Sequence, residues 1–257
     1  MVKPLIVSRS RESAKEILDE QAEAWASKPA LRKIYSRYFD LAFQSCLPGS
    51  TLELGAGSGV LKKCGYNVLS TDLETTSGID VVSDAQLLPF RDESFDNIIA
   101  IDVFHHIERP VRLLREARRV LKPGGRLMLL EPGITVVSRC FYDFLHPEPV
   151  DMDADPLLDG PIDSRRHPFD ANQGFATVLV TKRKKRLEKV VPGISIIEHR
   201  WIGSLAYPLS GGFQRWSLVP SALVRPVLAL ESLLDSTLGR WCGFRLLITL
   251  ERNLVEH

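Results

Sequence analysis

The chain has 257 residues, of which 44% are hydrophobic and 25% charged, with a formal net charge of +1. That suffices for one well-cored α/β domain with embellishments or for two small domains, and it excludes a disordered chain and a strong global field drawing nucleic acid. Four scattered cysteines, Cys46, Cys64, Cys140 and Cys242, form no C-x-x-C pair, which argues against a disulfide framework or a cysteine zinc site and fits a reducing compartment.

The apolar run in Met1 to Glu12 is too short for a signal peptide, and no stretch reaches the roughly 18 apolar residues of a spanning helix. A cytoplasmic protein is expected. From Glu12 to Phe43 apolar residues recur at helical spacing, and Ser27-Lys28-Pro29 splits the run into two helices. Pro48-Gly49 marks a turn, after which the texture changes. Thr51 to Leu54, Val68 to Thr71 and Ile79 to Val82 read as short strands. Asn97 to Ile101 is nearly continuous in apolar residues, as a buried parallel strand requires. Arg112 to Leu121 is an amphipathic helix stopped by Pro123-Gly124-Gly125, and Arg126 to Leu130 is a fifth strand. Pro132 to Gln173 is an insertion rich in Pro and Asp. A helix over Phe175 to Val190, a strand over Ile194 to His199, an apolar helix over Ser221 to Leu238 and a last strand over Phe244 to Leu250 complete the chain. Strands alternating with helices predict a parallel sheet with both faces covered.

The strongest local signal is Glu53-Leu-Gly55-Ala56-Gly57-Ser-Gly59. It falls where a strand ends and a helix begins, where glycines let backbone N–H groups approach an anionic ligand. A dinucleotide fold wants G-x-G-x-x-G, and here the last position is Val60. Asp72-Leu73 ends the second strand, where a carboxylate can accept from ribose hydroxyls. Asp84-Ala85 follows the third, where a carboxylate can accept from an adenine amine. Leu88-Pro-Phe90, Phe95-Asp96, Asp102 to His106 and Leu121-Lys-Pro-Gly-Gly125 follow in order.

The run from Leu52 to Glu131 resembles the type 11 family of class I S-adenosylmethionine-dependent methyltransferases, related to quinone C-methyltransferases. The resemblance implies S-adenosyl-L-methionine as cofactor and a Rossmann-like seven-stranded mixed sheet of order 3-2-1-4-5-7-6 with the seventh strand antiparallel. It implies cofactor contacts from Glu53, Gly55, Ala56, Gly57, Gly59, Asp72, Leu73, Asp84, Ala85 and Asp102. One departure is visible. Only 13 positions separate Gly59 from Asp72, so the family's helix is shortened and this edge of the sheet is trimmed.

His105 and His106 follow the fourth strand at the carboxyl edge, where ligands bind, and are candidate catalytic bases; packing beneath the cofactor loop is the alternative. Glu131 is placed to bind substrate or to cap the next segment. His146 to Asp155 holds hard oxygen ligands and a histidine, but without a recognised metal spacing; a lid-forming acidic loop and no metal are expected. Arg165, Arg166 and His167 suit an anionic substrate or an ordinary charged surface. Lys182 to Arg186 reads as a solvated helix face. Tyr142, Phe144, Phe169, Phe175, Tyr207, Phe213 and Trp216 supply aromatic walls, with a lid expected from Phe175 to Phe213 together with the N-terminal helices around Trp25 and Tyr38.

These readings predict an N-terminal helical cap at 1–47 and a methyltransferase domain at 48–257, with acceptor-site insertions at about 132–173 and 203–240. The expected activity is methyl transfer to a small-molecule or carrier-linked acceptor, with no nucleic-acid partner. One rival is a lipid-linked or amphiphilic acceptor met by peripheral contact with a membrane. Another is a non-catalytic cofactor-binding protein; Val60 disfavours a dinucleotide oxidoreductase.

Overall fold

A computed structural model describes residues 13–163 and 165–254. The expected helix start at Glu12, and residues 1–12 of the expected cap, lie outside the described residues.

Pro29 divides the N-terminal helical run as predicted. Helix α1 (Ala14–Ser27) opens on a capping box between Ser13 and Glu16, and α2 (Pro29–Phe43) starts with Pro29 in its first turn, where a missing N–H costs nothing. Strand β1 (Thr51–Leu54) leads through the glycine loop into α3 (Val60–Lys63), a single turn. Then come β2 (Leu69–Asp72), β3 (Val81–Val82), β4 (Phe95–Ile101), a 3-10 turn at Phe104–His106, α4 (Pro110–Val120) and β5 (Leu121–Pro132). The insertion contains α5 (Val136–Phe144). The remainder is α6 (Phe175–Lys182), α7 (Lys184–Val190), β6 (Ile194–Ile202), α8 (Ala206–Ser210), α9 (Val224–Cys242) and β7 (Arg245–Arg252).

The seven strands run β3-β2-β1-β4-β5-β7-β6, and β7 is antiparallel to both neighbours, as the resemblance implied. Alternate residues of the central strands feed two cores. Ile98, Ala100, Leu127 and Leu129 point to one side, where Leu113, Leu114 and Leu179 cover them. Ile99, Met128, Leu130 and Leu247 point to the other, against Leu31, Ile34 and Tyr38 of α2. Burial on both faces is why these strands read as unbroken apolar runs.

Two of the expected helices differ most. The helix expected over Phe175 to Val190 breaks at Arg183, whose guanidinium turns to Asp155 at 2.9 Å. The basic run is solvated as expected at Lys182, Lys184, Lys185 and Arg186, and it also holds the insertion: Arg183 and Arg186 both pair with Asp155, and Lys182 reaches the Met152 carbonyl at 2.7 Å. The last helix starts at Val224 and runs past Leu238, because Gly239 lets it press on β6; a Cβ there would stand 2.4 Å from the Trp201 carbonyl oxygen.

Candidate functional site

The loop after β1 is held in a left-handed backbone that only glycine adopts readily: φ is +64° at Gly55, +54° at Gly57 and +70° at Gly59. The three glycines meet different surroundings. A Cβ on Gly55 would collide with Val103 Cγ2 at 2.3 Å, and one on Gly59 with the backbone of Gly78 at 2.9 Å. A Cβ on Gly57 would meet only Leu18 Cδ2, at 3.4 Å, and would project into open space. Gly55 and Gly59 are thus packing glycines, while Gly57 keeps room for a ligand. Ala56 donates its N–H to the Thr71 carbonyl at 2.9 Å, tying the loop to β2.

Glu53 is buried beneath this loop and accepts from Ser70 Oγ at 2.6 Å. Burial pushes its carboxyl up to about 7, against the opposing pull of that hydrogen bond. Asp72 accepts from the Gly57 N–H at 2.7 Å and from the Glu74 N–H at 3.0 Å, so it fixes the loop while facing the cavity. The trimmed edge is compensated locally, since Thr76 Oγ1 donates to the Gly57 carbonyl at 2.6 Å. Asp84 accepts from the Gln86 N–H at 2.8 Å, a local turn that leaves it and Ala85 on the cavity wall. Leu73, 50% exposed, lies beside them.

Asp102 has φ +57°, a strained value for a residue with a side chain. Both carboxylate oxygens are engaged: Arg245 Nη2 lies 2.6 Å from Oδ1, and Tyr35 Oη donates to Oδ2 at 2.9 Å. The guanidinium of Arg245 is buried under the ring of Tyr207, 5.2 Å from its centroid. This ion pair joins β7, α2 and α8 at the end of β4.

His105 is buried, and its Nδ1 lies 2.5 Å from Glu131 Oε2. Glu131 is fully buried at the end of β5 and also accepts from the N–H groups of Val103, Phe104 and His105, at 2.9, 2.8 and 3.2 Å. Four donors on one carboxylate lock the 3-10 turn and orient the imidazole. His105 Nε2 lies 3.6 Å from Glu148 of the insertion. Burial pulls the His105 pKa down, but the charges of Glu131 and Glu148 outweigh it and hold the imidazole above its ordinary range. His106 packs against His105, ring centroids 4.1 Å apart, and against Phe169. His105, His106 and Glu148 each offer a metal-ligand atom, all within 4.8 Å of one another. The acidic run at Asp151 to Asp155 is occupied elsewhere: Asp151 accepts from the N–H groups of Asp153 and Ala154, and Asp155 forms ion pairs with Arg183 and Arg186.

These groups share a cavity of about 570 Å³ at the carboxyl edge of the sheet. Its wall includes Gly55 to Gly57, Asp72 and Asp84 from the ends of β1 to β3, and His105, His106, Tyr142, Glu148, Tyr207 and Phe213 from later segments. The first group suits an adenosine-like ligand: it offers two carboxylates and a glycine that opens towards the cavity. Residues 52–129 match the family described as "Methyltransferase domain", type 11. This stretch is a methyltransferase domain. The chain is 35% identical over 125 residues to a Bos taurus protein named "Probable tRNA methyltransferase 9B", covering 43% of this chain and 25% of that one. It is 37% identical over 100 residues to the demethylmenaquinone methyltransferase of Thermotoga maritima, covering 33% of this chain and 44% of that one. The chain thus spans less than half the length of these relatives. A solved S-adenosylmethionine-dependent methyltransferase from Thermotoga maritima shares the fold, with a TM-score of 0.52 over 92% of this chain and 98% of that one at 16% identity. The matched stretch holds β1 to β4 and most of β5, and the sheet as a whole has the strand order that the motifs implied.

All the residues singled out for the cofactor line this cavity except Gly59, which packs on Gly78 beneath the loop. Both histidines line it as well. The aromatic wall is smaller than expected. Tyr142, Phe169, Tyr207 and Phe213 line the cavity, but Phe144 and Trp216 face solvent and Phe175 packs in the core. Trp25 reaches the cavity; Tyr38 does not, being 1% exposed beside Arg245. Arg166 lines the wall with its guanidinium on the His106 carbonyl at 2.7 Å; Arg165 is exposed. Sequence reasoning missed Tyr35 and Arg245, which nothing local marks because their partners lie far away in the chain; Glu148 fell within the His146 to Asp155 run, but its approach to His105 was not foreseen.

Proposed function

We propose that the protein transfers the methyl group of S-adenosylmethionine to a hydroxyl of a small-molecule or carrier-linked acceptor, with His105 as the base. The observation that carries this reading is the buried Glu131–His105 pair, whose second imidazole nitrogen faces the acceptor end of the cavity. The cofactor supplies a methyl group on a positively charged sulfur, open to in-line displacement. Gly57 leaves room for it, Asp72 and Asp84 are the acceptors for its ribose and adenine, and Asp102, paired with Arg245 and Tyr35, shapes the cavity wall at the end of β4. Glu131 fixes the tautomer of His105, so Nε2 is the nitrogen left to act. As the oxygen–methyl bond forms and the sulfur–methyl bond breaks, His105 Nε2 takes the hydroxyl proton. A raised imidazole pKa suits a base that must hold the proton it receives. The aromatic wall of Tyr142, Tyr207 and Phe213 excludes water and aligns the nucleophile, which is the main catalytic task in such a displacement.

The insertion at 132–173 and the segment at 203–240 supply this wall, so acceptor choice resides outside the matched stretch. The tRNA in the bovine relative's name belongs to a protein of which this chain covers a quarter; the aromatic wall and the net charge of +1 favour a small acceptor over nucleic acid. The test is methyl transfer from labelled cofactor to a panel of hydroxyl-bearing acceptors, with His105→Gln alongside. The expected result is S-adenosylhomocysteine binding retained and kcat lowered by about 100-fold or more, the scale of general-base catalysis. Undiminished kcat in His105→Gln contradicts its role as base. In the parent, the rate should fall as pH drops through a pKa above the ordinary imidazole value, and Glu131→Gln should move that fall to lower pH.

A further inference from the structure

Helix α9 has its polarity reversed. Its acidic residues point inward: Glu231, 3% exposed, accepts from the N–H groups of Leu205 and Ala206 at 2.8 and 2.6 Å, and Asp235 accepts from the Gly203 N–H at 3.0 Å. These contacts cap α8 and the turn after β6, and they set the rotation of the helix. Leu223, Leu230, Leu233, Leu238 and Trp241 are left exposed, at 47% to 69%. At 3.6 residues per turn Leu223, Leu230, Leu233 and Trp241 fall within an arc of about 80°, centred well away from Glu231 and Asp235. Helix α5 packs beside α9 and extends the apolar surface with Val136 and Phe144, which are 69% and 82% exposed. Large side chains are rarely left together in water without a partner.

The charge on this surface indicates which partner. Across 203–242 the exposed charged residues are Arg215, Arg225 and Arg240, while both acids of that stretch are turned inward; α5 adds Arg139 and Asp143, exposed and paired with each other at 3.2 Å. Arg240 lies over the Trp241 ring, 5.0 Å from its centroid. A stripe of leucines with a tryptophan and flanking arginines matches the boundary of an anionic bilayer, where acyl chains take the leucines and headgroup phosphates take the guanidinium groups.

We propose that α9 and α5 dock the protein on an anionic membrane surface. The position of the cavity gives this docking a use. The stretch that exposes Phe144 and Leu145 also places Tyr142 and His146 on the cavity wall. The docked face therefore adjoins the acceptor end, and an amphiphilic acceptor reaches His105 with its apolar part still in the lipid. This inference extends the methyltransferase reading by naming where the acceptor resides, but vesicle binding needs no methyl transfer, so failure of one leaves the other standing.

The test is co-flotation of the full chain with phosphatidylcholine vesicles, with and without phosphatidylglycerol. The protein should float with the anionic vesicles and release as salt is raised. Leu230→Glu/Leu233→Glu should weaken binding by about tenfold or more, since it removes the inserted surface. Arg225→Glu/Arg240→Glu should weaken it while keeping the leucines. S-adenosylhomocysteine binding, retained in both variants, reports that each is folded. No flotation with anionic vesicles overturns the proposal, and so does flotation unchanged by the leucine pair. Sedimentation as a dimer that the leucine pair splits into monomers also overturns it, by assigning the face to a second copy.

Discussion

Gly55 and Gly57 share a left-handed backbone but face opposite sides of the loop. Gly55→Ala drives a methyl group into Val103 and should cost about 2–4 kcal/mol of stability, from overpacking and positive-φ strain together. Gly57→Val meets almost nothing of the protein but fills ligand space, so it should abolish cofactor binding with a smaller loss of stability. Denaturant melts and calorimetry on both variants check the pair; the opposite ordering would mean that the ligand approaches elsewhere. Asp84→Ala should weaken cofactor affinity by about 1–3 kcal/mol, the cost of leaving a hydrogen-bonding partner unmet; an unchanged dissociation constant removes Asp84 from the site. Glu53 gives a signature in pH. A carboxyl raised from 4.5 to about 7 on folding stabilises the protein fully below 4.5, and that contribution is lost as pH rises through about 7. The whole effect is about 3 kcal/mol. Glu53→Gln should therefore flatten the stability profile across that window, measured by urea unfolding at several pH values; parallel profiles for the two proteins would contradict it.

Element placement depends on contacts that join distant segments. Lys28, the residue that separates α1 from α2, donates to the carbonyl oxygens of Ser210, Gly212, Gln214 and Trp216, at 2.9, 2.6, 2.7 and 3.1 Å. This clamp fixes the segment that brings Phe213 against Tyr35, ring centroids 5.5 Å apart. Lys28→Met should leave the sheet intact and raise hydrogen exchange across 210–216; equal protection in parent and variant would show that the segment holds itself. The break before Pro29 was readable because proline acts locally. The break at Arg183 was not, because its cause is Asp155 in another segment. The rotation of α9 was equally hidden. Its sequence reads as an apolar helix, and only the backbone donors of Leu205 and Ala206 explain why Glu231 is buried and the leucines are not.

At the scale of the whole molecule, sheet order and the gathering of the glycine loop, Asp72, Asp84 and Asp102 on one cavity were legible because these residues fall at consecutive strand ends. Gly55 to Gly59, Asp72, Asp84 and Asp102 follow one another in the order in which a doubly wound sheet presents its carboxyl edge. The acceptor end has no such order. Arg245 comes from the last strand, Tyr35 from the second helix and Glu148 from the insertion, so their meeting around Asp102 and His105 is a product of the completed fold. The central claim is that the glycine loop, Asp72 and Asp84 form an S-adenosylmethionine site. Calorimetric titration of the full chain with S-adenosylhomocysteine and, separately, with NAD tests it most directly. The account predicts one S-adenosylhomocysteine bound per chain and no NAD. Tight NAD binding with no detectable S-adenosylhomocysteine binding would contradict it.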